Sequence, residues 1–87
     1  MAYDHIKPST LEGIQSYVHQ HCPPGGFLRA VLENNLQEAV IRADKENLMG
    51  LREIVQYVYW EVPHLCWGSP AKVKAWLEVK SETLQTD

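Results

Sequence analysis

The chain has 87 residues, 45% of them apolar and 22% charged, so it is long enough for one compact domain and too apolar for a disordered one. Eight Lys and Arg stand against eleven Asp and Glu, a formal net charge of -3, which leaves no cationic surplus for a phosphate backbone and makes nucleic acid an unfavoured partner. No apolar run reaches the roughly 18 to 20 residues that span a bilayer, and the first ten residues lack a signal-peptide pattern.

Ser9 and Glu12 have the S-x-x-E spacing of a capping box and predict a first helix, with residues 1–8 frayed ahead of it. Leu11, Ile14, Val18 and His21 recur at helical steps until Cys22-Pro23-Pro24 ends the stripe. Pro23-Pro24-Gly25-Gly26 reads as a turn into a second helical stretch from Phe27. Asn34-Asn35 divides that stretch into two short helices, because Asn favours caps and turns over helix interiors. Asp44 is the predicted N-cap of a long helix over residues 45–61, with Leu48, Leu51, Val55, Val58 and Val62 as its core stripe and Ile54 widening it. After Val62-Pro63 comes a loop through Gly68. Ser69 and Pro70 then read as the N-cap and first residue of a short final helix, with residues 81–87 frayed. The expected fold is a single all-α domain, a compact bundle of about five helices with the long helix at its centre.

Function is less legible. Cys22 and Cys66 are too few for a disulfide scaffold and read as free thiols. His19, His21 and Cys22 with His64 and Cys66 supply zinc-ligand chemistry, but their spacing fits no zinc module and the thiols read as small core groups, so no metal is expected. A cysteine nucleophile would need a base and an oxyanion site that nothing in the chain supplies, so no catalytic residue and no cofactor are expected. Gly25-Gly26 lacks the lysine of a phosphate loop, and the helix containing Gln37 to Arg42 carries one basic residue, a poor reader of DNA.

Two surfaces remain. On the long helix, Met49, Tyr57 and Trp60, interleaved with Glu53, fall opposite the core stripe and predict an interaction face; Trp67 and Trp76 are expected to close the core instead. Arg29, Arg42 and Arg52, with Trp67 for stacking, would suit a small anionic ligand if they converge.

The segments Pro24 to Asn34 (PGGFLRAVLEN), Glu38 to Asp44 (EAVIRAD) and Cys66 to Ser69 (CWGS) resemble short proteins encoded in tailed-phage and prophage genomes, a likeness that covers about half the chain. The resemblance implies a single-domain protein working in the cytoplasm of a bacterial host, and it brings no activity or site with it. The function expected is therefore that of a non-enzymatic accessory protein acting by protein–protein contact, as a homo-oligomer and with a host or phage protein. The alternative is an oligomer that sequesters a small anion such as a nucleotide defence signal.

Overall fold

A computed structural model describes residues 3–86, with side chains described through Val79. Among them the chain forms α1 (Pro8–Gln20), α2 (Gly26–Leu32), α3 (Leu36–Arg42), α4 (Lys45–Met49), α5 (Leu51–Glu61), a 3-10 turn (His64–Cys66) and α6 (Pro70–Thr86), with no strand. The all-α architecture matches the expectation; the number and ends of the helices differ from it.

The first helix does not use a capping box. Lys7 is its N-cap, Pro8 takes the first turn where its missing N–H costs nothing, and Ser9 and Thr10 lie inside the helix. Thr10 is buried, and its hydroxyl pairs with Asn47 Oδ1 at 2.6 Å. Further along, Gly13 lets α2 come close: a Cβ there would stand 2.9 Å from Leu28 Cδ1. The helix ends with His21 in the left-handed region, φ 56°, where its N–H turns back to the Tyr17 carbonyl.

The division at the asparagines is as the sequence predicts. Asn34 takes φ 63°, and Asn35 Oδ1 accepts the Glu38 N–H at 3.2 Å to start α3. Asp44 and Ser69 also act as predicted, accepting from the Asn47 and Lys72 N–H groups at 2.8 and 3.2 Å.

The single long helix over residues 45–61 is two helices, joined through Gly50. Glycine is required there by a contact from outside the helix. The His5 carbonyl packs so close to the Gly50 Cα that no Cβ could occupy the site, which glycine alone satisfies. The predicted stripe is corrected with it. Val58 and Val62 are buried and Leu51 is half-buried, but Leu48 and Val55 are 48% and 46% exposed, and Ile54 is the residue fully enclosed.

Residues 3–7 lie across α5 as a strap with Ile6 in the core, and α6 runs on to Thr86; Met1, Ala2 and Asp87 lie outside the described residues. One core joins Ile14 and Tyr17 of α1, Leu28 and Leu32 of α2, Ala39 of α3, Ile54 and Val58 of α5, and Cys66 and Val73 beyond them. Aromatic polar tips lock its layers together. The Tyr17 hydroxyl donates to the Cys66 carbonyl at 2.6 Å, Trp76 Nε1–H to the Tyr17 carbonyl at 2.8 Å, and Trp67 Nε1–H to the Val62 carbonyl at 3.2 Å. The His21 ring lies 4.2 Å from that of Trp76, so Trp67 and Trp76 close the core as the sequence suggests.

Candidate functional site

α3 is a short helix that buries only Ala39. Leu36 and Val40, on the side next to Ala39, are left in solvent, and across from them Val55 of α5 is exposed too. Between Leu36 and Val55 an apolar cleft of about 250 Å³ opens, floored by Ala39, Val58 and the half-buried Val31 and Leu51, with Val40 outside its lining. Trp67 also lines it, and Asn34 and Asn35 supply its polar edge. The tryptophan is fixed by its bond to the Val62 carbonyl and by Tyr59 and His64, whose rings lie 6.1 and 5.7 Å from its own. Tyr59 is exposed and stands one turn beyond Val55 on α5, which carries the apolar surface along that helix.

None of the residues lining the cleft is ionisable. It offers aliphatic and aromatic surface and two amides, and so can bind apolar groups but can neither transfer a proton nor attack an electrophile. The thiol nearest in sequence, Cys66, is enclosed, and burial pushes its pKa up, away from the reactive thiolate.

The residues singled out from sequence fall in three other places. Met49 and Trp60 are 77% and 71% exposed, and Tyr57 and Glu53 between them are half-buried beneath the strap. The Tyr3 ring packs edge-on against Tyr57 at 5.1 Å, with its hydroxyl donating to Glu61 at 3.3 Å. The His5 N–H donates to Glu53 Oε1 at 2.8 Å, and the His5 ring pairs with the other carboxylate oxygen. These bonds, the backbone N–H first, hold the Glu53 carboxyl below its usual range. Lys7 does the same to Asp44 through a 2.7 Å ion pair that fastens the strap to the start of α4. The sequence face is thus interrupted, because a segment read as frayed docks on its middle.

The arginines do not converge with Trp67. Arg29 and Arg42 face a common hollow between α2 and α3, but Arg29 Nε–H donates to Glu33 at 2.9 Å and Arg42 Nε–H to Glu38 at 2.8 Å, so two carboxylates share the hollow with them. Arg52 is exposed on α5 and lines neither hollow nor cleft, and Trp67 belongs to the apolar cleft. Among the described residues no three His, Cys, Asp or Glu side chains gather as a metal would require. His21 is committed to Trp76, its Nδ1 2.9 Å from that residue's carbonyl, while His64 lies against Tyr59 and Trp67. Among the described residues no helix is long and apolar enough to cross a membrane.

Apart from Trp67, the cleft residues were not predicted as a site. Of their signals, Val55 sits in the stripe expected to face the core, and Leu36 and Val40 recur at a helical step beside Ala39. Compared with protein-family models, curated proteins and solved structures, the chain matches none.

Proposed function

We propose that this protein is a non-enzymatic interaction module that works through the cleft between α3 and α5. The observation that carries the reading is the cleft itself: apolar walls left exposed at Leu36 and Val55, a closed apolar floor, and no ionisable side chain in the lining. An aliphatic side chain moved from water onto such a floor contributes on the order of 1.5 to 3 kcal/mol, so two or three of them anchor a partner helix. The likeness of three segments to tailed-phage proteins supports an accessory role in the cytoplasm of an infected or lysogenic bacterium.

Sequestration of a small anion is the weaker reading, since the two arginines that share a hollow share it with Glu33 and Glu38. A photo-cross-linking side chain placed at Val55, with Glu12 on the outer face of α1 as control, tests the docking role in cells that express the protein. A discrete protein adduct at Val55, lost when Leu36→Glu is added, is the expected result. Absence of any adduct above the Glu12 control refutes the reading.

A further inference from the structure

We infer that the occupant of the cleft is a second copy of this chain, docked about a two-fold axis with the two α3 helices antiparallel. The inference rests on the cleft being a protein-docking surface and names what docks there.

Ridge and groove lie side by side on one face. Leu36 and Val40 stand one turn apart on α3, 66% and 43% exposed, and Leu36 is also a wall of the cleft. Under an antiparallel two-fold, an apolar pair spaced i and i+4 is its own complement: Leu36 meets Val40 of the second copy, and Val40 meets its Leu36. Each ridge then lies over the other copy's cleft, where Ala39 and Val58 leave room for it.

Charge does not oppose the pairing. No ionisable group lines the cleft, and the nearest exposed charge on that side of α5, Arg52 one turn before Val55, stands at the solvated rim. The charged pair of α3, Glu38 with Arg42, faces the separate hollow against α2.

The area is sufficient for a specific dimer and too small for a permanent one. Leu36, Val40, Val55 and Tyr59 are all exposed. Together they offer on the order of 400 Å² of apolar surface per copy, which with a polar rim comes to about 1,000 Å² in total, the weak, reversible end of specific interfaces. A reversible dimer follows, not an obligate one.

Sedimentation equilibrium of the full chain tests this. The mass should climb from 10.0 kDa toward twice that value as concentration rises through the micromolar range. Leu36→Glu and Val40→Lys should each weaken the dimer at least tenfold while the helical circular dichroism is unchanged, because both side chains project into solvent in the single chain. Trp60→Ser, on another face of α5, should leave it unaltered. Mixing the Leu36→Glu and Val40→Lys chains should restore association, since the proposed register sets the new carboxylate against the new ammonium.

A constant 10.0 kDa at all concentrations overturns the inference. So does a dimer weakened by Trp60→Ser and indifferent to Leu36→Glu, and a failure of the mixed chains to associate overturns the antiparallel register. The docking reading is judged separately. An adduct at Val55 to a different protein, with a monomeric chain in solution, sinks the second copy and leaves the docking role standing; no adduct at all sinks both.

Discussion

Tyr17→Phe isolates the bond that ties α1 to the turn before α6. The Tyr17 side chain is fully enclosed, and its hydroxyl donates to the Cys66 carbonyl at 2.6 Å. Phenylalanine keeps the ring and its packing, so the change removes one buried donor and leaves the carbonyl without it. Such an orphaned buried acceptor costs about 1 to 3 kcal/mol. In a domain of this size each kcal/mol lowers Tm by about 4 to 8 °C, so a central loss of about 2 kcal/mol lowers it by about 10 °C. The assay is thermal unfolding followed by circular dichroism, with Tyr59→Phe at an exposed tyrosine as control, expected within ~1 °C of wild type since surface substitutions are nearly neutral. The same bond has a signature in alkali. Burial first, and then the nearby Cys66 thiol, raises the Tyr17 pKa above its ordinary 10.0. The native state therefore keeps the phenol neutral where the unfolded chain ionises it: stability is full below pH 10.0 and falls as pH rises beyond. Cys66, also raised by burial, adds a loss of the same sense that begins near its ordinary 9.0, and Tyr17→Phe should remove only the part above pH 10.0. A Tm unchanged by Tyr17→Phe, together with an unchanged alkaline slope, would refute the reasoning.

Other perturbations probe the strap and the turns. Gly50→Ala, which in an open helix would be neutral or stabilising, should cost ~1 to 3 kcal/mol because its Cβ collides with the His5 carbonyl; a raised Tm would count against that packing. In acid, Glu53 and Asp44 are held below their ordinary 4.5 and 3.8, so the strap contacts are intact above those values and are lost as pH falls through the lower folded ones. The His5 amide resonance should therefore shift between pH 6 and pH 3 before the helices unfold, and a resonance that does not move sinks the claim. Asn34→Ala should be less stable than Asn34→Gly by about 1 kcal/mol in chemical denaturation, since only glycine takes φ 63° without penalty; equal stabilities would contradict it.

Local signals were the legible part of this fold. Asn34-Asn35, Asp44 and Ser69-Pro70 each act through their own backbone and the next few residues, so their roles are readable without any tertiary contact. Gly50 and residues 3–7 were not readable, because each depends on contacts far away in sequence. The strap is ordered by Ile6 in the core and by pairing with Glu53, Glu61 and Asp44, residues 37 to 58 positions away, and the helix break accommodates the strap. The Ser9–Glu12 spacing misled for a related reason: Pro8 already supplies a helix start one residue earlier, which puts the serine inside.

The cleft was misread in a more instructive way. Periodicity reports that a helix has an apolar side and says nothing about what covers it. On α5 the steps from Leu51 through Val55 to Val58 run without a fault, yet the fold closes over Val58 and leaves Val55 in water. On α3 the same holds, with Ala39 buried and Leu36 and Val40 exposed. Leu36, Val40 and Val55 are only partly covered by the single chain, and Leu36 and Val55 share one groove. Val40 stands next to Ala39 outside its lining, and Leu48, also exposed, is not in that groove. At Val55 the disagreement between the stripe and the single chain is resolved if a second chain supplies the missing cover. Substitution of Val55 by Thr, close in shape and able to meet water, separates the two demands: it should leave the monomer's Tm within ~1 °C, as a surface change does, while weakening self-association several-fold.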